Sequence, residues 1–324
     1  LKDLERYKLV VPVKNISFSE AGTLTHSVRK TIHDFMCDGD DVLIEALQWL
    51  IFEEYDTPLE SWTLASCPHC EEANISLRRS DMGSDFTFSC PACAGNLYLV
   101  DVLRLHEAID DELGAGGVLG YLSSALEQLL VVYILKSLLE ITPDTISETL
   151  LIKNGPLAFF GQTANLHKPM RKLCTWFEKK HDLALVGLEK SGPFVEHADE
   201  ISRKMQNGQV LMLDNEYIYK YITPGKADPD KPYGSTSYYG SKIIYKTDSG
   251  SMYVISLPTR SSLLKVEKDD FHCFDEVLTN VQKLKCDMYD SALIPVALAN
   301  KLVSLSNHPS TQILCKFAAS KVGK

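Results

Sequence analysis

Apolar positions in the first half of the chain recur mainly at helical spacing. Residues 41–54 place apolar side chains three and four positions apart, which predicts an amphipathic helix. The stretches "SVRKTIHDFM" (27–36) and "VDVLRLHEAIDDEL" (100–113) predict two further helices. Residues 121–140, "YLSSALEQLLVVYILKSLLE", are apolar nearly all round, so we predict a central buried helix that ends at Pro143.

From residue 150 onward, predicted strands and helices alternate. "TLLIKNG" (149–155) and "DLALVGLEKSG" (182–192) have the apolar runs and Gly turns of buried strands, and "KPMRKLCTWFEKKH" (168–181) has helical spacing. Together they predict a βαβ unit, in which two parallel strands are joined by a right-handed crossover.

The remaining pattern predicts a helix, several strands and a helical C-terminus. We expect a helix at "FVEHADEISRKM" (194–205) and strands within "QVLMLDNEYIYKYI" (209–222). After a loop at 223–237, residues 237–258 predict a hairpin that turns at Ser249-Gly250, and the last 60 residues have helical patterns.

These elements predict an α/β fold class, in which helices flank a mixed β-sheet. Residues 61–100 differ from their surroundings, because β-prone sequence lies between two pairs of cysteines. We therefore predict three parts: an N-terminal part of the core (1–60), a small β insertion (61–100), and the main core with its helical C-terminus (101–324).

Composition and charge limit the possible functions. The 324 residues are 45% hydrophobic and 23% charged, as in globular proteins. The longest uninterrupted apolar runs, such as 129–135, are shorter than the ~20 residues that span a bilayer, so we expect a cytoplasmic protein with no membrane partner. The net charge of −10 is unusual for a freestanding nucleic-acid binder, so any DNA would have to be delivered by a partner.

Four cysteines have the spacing of a zinc ribbon. Cys67 and Cys70 form one CxxC pair, and Cys90 and Cys93 form a second pair after 19 intervening residues. Two such turns can bring four thiolates to one tetrahedral Zn²⁺ ion. Because four thiolates leave no coordination position open, we predict a structural zinc, with His69 exposed inside the first turn rather than bound to the ion.

Asn154 lies at the end of a predicted buried strand and is followed by Gly155. A polar residue there can place its side chain at the carboxyl edge of a parallel sheet, where α/β proteins hold their ligands. The alternative is a plain Asn-Gly turn, since both residues tolerate positive φ.

Residues 150–200 resemble the NurA family of DNA-end-processing nucleases, in particular its longer bacterial members. The resemblance lies in "LIKNGPL" (151–157) and "GLEK" (187–190), and it continues through "PYGSTSYYGSK" (232–242) to "ALIPVALANKL" (292–302). It implies an RNase H-like core, Mn²⁺- or Mg²⁺-dependent DNA cleavage, a homodimer, and partnership with a hexameric ATPase of the HerA type.

The resemblance also implies site residues. Asn154 stands where the family has a metal-binding Asp, and Glu127 best matches a family Glu, with Glu107 as its competitor. Lys190 matches a family Lys that could contact a phosphate. Asn300 replaces a family His, although His308 lies close by.

Two departures from the family pattern concern cleavage. Two divalent ions roughly 4 Å apart need several anionic oxygen ligands, and Asn154 removes one charge. The family's first catalytic Asp is not found before residue 60, where Asp38-Gly39-Asp40 is the nearest string, so we expect it either upstream of Leu1 or lost. We therefore predict a nuclease subunit that Asn154 could have inactivated, or alternatively an inactive zinc-ribbon adaptor of a DNA-translocating ATPase. A third alternative is a zinc-ribbon protein unrelated to nucleases.

A basic face is predicted on the helix after Asn154. It could be a plain solvated face or a track that guides DNA. It comprises Lys168, Arg171, Lys172, Lys179 and Lys180.

Overall fold

The computed structural model shows a mixed α/β protein. It describes residues 9–11, 22–38, 41–110, 114–225, 228, 230–286 and 292–303. The helices are α1 (Leu24–Met36), α2 (Val42–Ile51), α3 (Val118–Ile141), α4 (His167–His181), α5 (Pro193–Ile201), α6 (Asn215–Tyr217), α7 (Phe274–Lys283) and α8 (Ile294–Val303). Among the predicted site residues, Gly39, Asp40 and His308 lie outside this description.

Two short antiparallel hairpins form the segment between α2 and α3. The strands are β1 (Ser61–Ser66) with β2 (Ala73–Arg78), and β3 (Thr87–Ser89) with β4 (Asn96–Tyr98). A CxxC turn joins the two strands of each hairpin, as the sequence predicts for a zinc ribbon.

A five-stranded mixed sheet forms the second half of the protein. Its order is β5-β6-β9-β8-β7, and β5 pairs in parallel with β6 while the other pairs are antiparallel. The strands are β5 (Leu150–Asn154), β6 (Ala184–Glu189), β7 (Val210–Met212), β8 (Gly240–Lys246) and β9 (Met252–Pro258). The predicted βαβ unit and the hairpin at Ser249-Gly250 are therefore confirmed.

Side chains on the two faces of the sheet pack into different hydrophobic clusters. Leu151 and Leu185 join a cluster that contains α1 to α4 and the apolar residues of the ribbon. Val186 and Leu188 join a second cluster, to which α7 and α8 contribute. This separation follows from the alternation of side chains along a strand.

Two predicted elements differ in the structure. Residues 99–108 form two 3₁₀ helices instead of one α-helix, because Arg104 adopts a left-handed conformation (φ 57°) between them. The predicted strand after β7 is helical, since the Asp214 carboxylate accepts a hydrogen bond from the Tyr217 N–H (2.7 Å) and begins a helical turn.

The prediction that α3 is buried on all sides is wrong. Its buried residues, including Leu122, Leu129 and Leu135, form only one face, and Leu130 is 48% exposed. By length and composition this helix could also cross a membrane, but the core helix of a soluble protein passes the same test. Because α3 packs one face into the first cluster, the protein has the character of a soluble protein.

Candidate metal centre and cationic groove

The four ribbon cysteines converge on one point. Their sulfur atoms all lie within 4.8 Å of one another, and both the Cys67–Cys93 and Cys70–Cys90 Sγ distances are 3.9 Å. Zn–S bonds of about 2.3 Å give a tetrahedron with edges of about 3.8 Å. The thiolate set therefore fits a metal ion such as Zn²⁺.

The two CxxC turns have the same backbone design. Glu71 and Ala94, each four residues after the first cysteine of its pair, are left-handed and donate their N–H to the carbonyl of that cysteine. The N–H groups of His69 and Gly95 point at Cys67 Sγ and Cys93 Sγ, both at 3.4 Å. Such donors stabilise thiolates, because they place partial positive charge beside sulfur.

The pKa of the Cys90 thiol depends on both burial and hydrogen bonding. Burial opposes its ionisation, but hydrogen bonds from the backbone of Cys93 and Ala92 and from the thiols of Cys67 and Cys93 together outweigh burial and lower its pKa to about 7. With four cysteines around one point, the centre has the closed donor set of a structural metal site. His69 is exposed, as predicted.

A buried arginine on α1 links this helix to the ribbon by hydrogen bonds. Arg29 donates two hydrogen bonds to Asp101 (2.7 and 2.6 Å) and a third to the carbonyl oxygen of Asn96 (3.0 Å). Its Nη1 lies 3.1 Å from His69 Nε2. Both charged side chains are almost fully buried. The attraction between the two charges offsets the free-energy cost of removing each of them from water.

Glu127 meets a lysine rather than Asn154. Its Oε2 lies 3.1 Å from Lys153 Nζ, which also donates to the Asn154 carbonyl oxygen at 3.0 Å. The Lys153 side chain is 8% exposed and the Glu127 side chain 60% exposed. The carboxylate that was predicted to bind metal is therefore in an ion pair with Lys153.

The side chains of Lys153 and Asn154 point to opposite faces of the sheet. Neighbouring residues of a strand alternate, and Leu150 and Ile152 place the Asn154 side chain on the face of the second hydrophobic cluster. The structure therefore does not bring Glu127 and the Asn154 amide together.

The other predicted site residues lie on other elements than Glu127. Lys190 follows β6 at the same sheet edge as Asn154, and burial lowers its pKa. Asn300 is exposed on α8, which packs through Val296 on the Asn154 face. Glu107, the competitor of Glu127, is paired with Arg104 at 2.6 Å.

The described residues do not fit a catalytic divalent ion. Within the described ranges, the four cysteines are the only group of three or more His, Cys, Asp or Glu residues whose ligand atoms lie close enough to share one ion. A pair of catalytic ions needs several oxygen ligands. Glu127 offers one carboxylate, and that carboxylate is already paired with Lys153.

A cationic groove of about 830 Å³ runs along α4. Six cationic and two anionic side chains line it, so its local charge is positive although the whole chain carries −10. The cationic side chains are Lys168, Arg171, Lys172, Lys179, Lys180 and Arg260. The basic face predicted on this helix is thus one wall of a concave site.

Two aromatic residues and a partly buried arginine also line the groove. Tyr55 and Trp176 have ring centroids 5.5 Å apart in an edge-on arrangement. Arg171 donates a hydrogen bond to the Tyr238 carbonyl oxygen, and burial lowers its pKa. Within the part of the chain that the structure describes, Tyr55 Oη, Trp176 Nε1 and Arg171 Nε are buried without a hydrogen-bond partner.

Several residues of these sites were not predicted from the sequence, among them Lys153, Tyr55 and Arg260. Lys153 stands inside an apolar strand, where the pattern alone gives no sign of an ion pair with α3. Tyr55 and Arg260 reach the groove from loops that are distant in sequence.

Comparison of the chain with protein-family models, with curated proteins and with solved structures gives no significant match in any of the three.

Proposed function

We propose that this protein is a DNA-binding subunit of a NurA-like DNA-processing complex, in which the groove along α4 holds the phosphate backbone. The groove carries this proposal, because it concentrates positive charge on an otherwise acidic molecule. Neutralisation of phosphates by Lys and Arg supplies most of the affinity of proteins for DNA. The structural metal centre would hold the ribbon together, outside the groove.

The proposal includes the RNase H-like core and a HerA-type ATPase as partner, both implied by the resemblance in sequence. A translocating ATPase ring would deliver DNA to a protein whose overall charge repels it. We expect this protein and the HerA-type ATPase to co-elute when the two purified proteins are mixed. Separate elution would contradict the partnership with the ATPase.

Of the two forms of the proposal, the inactive adaptor is better supported than the cleaving nuclease. The observation that favours it is the Glu127–Lys153 pair, with the Asn154 side chain on the other face of the sheet. Asn154→Asp should therefore fail to produce Mn²⁺-dependent nicking of a plasmid. Nicking by the wild type or by this variant would instead favour the nuclease.

DNA binding is tested with a triple variant, Lys179→Gln, Lys180→Gln and Arg260→Gln. Each lost phosphate contact lowers the slope of log affinity against log salt by about 0.7 to 0.9, so we expect a slope smaller by about two. The measurement is fluorescence anisotropy with labelled DNA at several salt concentrations.

The matched control changes the net charge equally but outside the groove. It carries Lys30→Gln, Lys231→Gln and Lys265→Gln, and these side chains are 47%, 76% and 75% exposed. An equal loss of affinity in both triple variants would show that the groove has no special role.

A further inference from the structure

The groove along α4 has two chemically different walls. One wall carries the cations of α4 together with Arg260, and the facing loop after α2 carries Glu53 and Asp56. The Lys172 Nζ lies 2.7 Å from Glu53 Oε1, so one cation joins the two walls. The groove therefore offers positive charge to phosphates along one wall only.

Aromatic rings lie between these walls. Trp176 is partly exposed, and its ring contacts Tyr55 and His181 at centroid distances of 5.5 and 5.2 Å. Tyr55 is buried beneath Trp176. The ring of Trp is a surface on which unpaired bases stack, and this stacking does not depend on sequence. In a duplex the bases already stack on one another and are not available.

Carboxylates opposite a cationic wall suit a single strand. One strand has phosphates along one side and base edges along the other, and its exocyclic amino groups can donate hydrogen bonds to Glu53 and Asp56. A second strand would bring its phosphates against the same carboxylates and be repelled. The length of α4, 15 residues or about 22 Å, is enough for several nucleotides.

We propose that the groove binds an unpaired DNA strand in preference to a duplex, with its phosphates along α4 and its bases against Trp176 and the Glu53–Asp56 loop. This inference rests on the proposed function, which requires only that the groove binds DNA. It adds the form of the DNA and the orientation of the strand.

The test compares two labelled probes at one salt concentration: a single-stranded oligonucleotide roughly 16 nucleotides long, the upper site size of single-strand-binding folds, and its duplex. The full-length wild type should bind the single strand more tightly. Trp176→Leu should lose about tenfold in single-strand affinity, the effect of one lost stacking contact, with little change for the duplex. The control is Trp62→Leu in the ribbon, which should change neither affinity.

A second variant covers the case in which Trp176→Leu does not fold, as judged by its thermal melt. Asp56→Lys replaces an exposed loop carboxylate by a cation, so it should strengthen duplex binding and reduce the preference for the single strand. Duplex binding equal to or tighter than single-strand binding, or a preference that Asp56→Lys leaves unchanged, would overturn the inference while DNA binding by the groove stands. Binding of neither probe would overturn the proposed function as well.

Discussion

Glu178 is a buried carboxyl whose ionisation affects the stability of the fold. It lies on α4 beneath the cationic groove and is 4% exposed. Burial raises its pKa to about 7, although Arg260 and Lys179 act in the opposite direction. The native state therefore binds a proton on Glu178 more tightly than the unfolded chain, whose carboxyl has a pKa near 4.5.

The predicted consequence is a loss of stability as the pH rises. The contribution of Glu178 is fully favourable below pH 4.5 and declines as the pH passes through 7, by about 3 kcal/mol at most. Glu178→Gln keeps the neutral form, so it should be more stable than the wild type at pH 8 and similar at low pH. Urea unfolding at several pH values measures this.

The control for this prediction is Glu276→Gln on α7, an exposed position. It should leave the pH dependence of stability unchanged. A Glu178→Gln profile parallel to that of the wild type between pH 4.5 and 8 would contradict the assignment of the titration to Glu178.

At the scale of elements, local patterns were predictable and long-range pairings were not. The ribbon, the β5-α4-β6 unit and the β8-β9 hairpin follow from CxxC spacing, apolar periodicity and a Ser-Gly turn. The break at Arg104 depends on Asp101, which accepts hydrogen bonds from the Tyr98 N–H and from Arg29, 72 residues away. The spacing of apolar residues along the chain cannot predict a contact between residues so far apart in sequence.

The zinc ribbon gives a prediction for a whole element. Cys70→Ser removes one of four ligands, and zinc binding contributes on the order of 10 kcal/mol to the folding of such sites. We expect about one zinc ion per wild-type chain, and in the variant a loss of zinc and a lower melting temperature. Elemental analysis and circular dichroism measure these changes.

Cys286→Ser is the matched control, since Cys286 lies outside the ribbon. It should retain zinc and melt like the wild type. A zinc content near zero in the purified wild type, after expression with added zinc, would contradict the metal centre.

At the scale of the whole molecule, the outward face of α3 is a candidate surface for contact with a partner. Leu119, Leu130, Tyr133, Ile134 and Ile141 are between 36% and 77% exposed along one helix. A row of large apolar side chains in water is unusual unless a partner covers it. Apolar composition alone does not distinguish a central helix from one with an outer contact face, so this exposure was not predicted.

We expect α3 to form the contact of the homodimer that the NurA resemblance implies. Leu130→Glu combined with Ile134→Glu should convert a dimer into a monomer without lowering the melting temperature, since both positions are exposed. Light scattering coupled to size-exclusion chromatography gives the mass. Leu264→Glu, at a residue that is 43% exposed outside α3, should leave the dimer intact, and a monomeric wild type would refute the prediction.

The ribbon is joined to the rest of the protein by more than its two chain ends. Its apolar side chains belong to the same hydrophobic cluster as α1 and α2, and Arg29 spans the two. Cys67 and Cys90 are themselves buried in that cluster. A metal ion bound at this centre would therefore stabilise the shared interior as well as the ribbon, so the supply of zinc in the cell would affect how much folded protein accumulates.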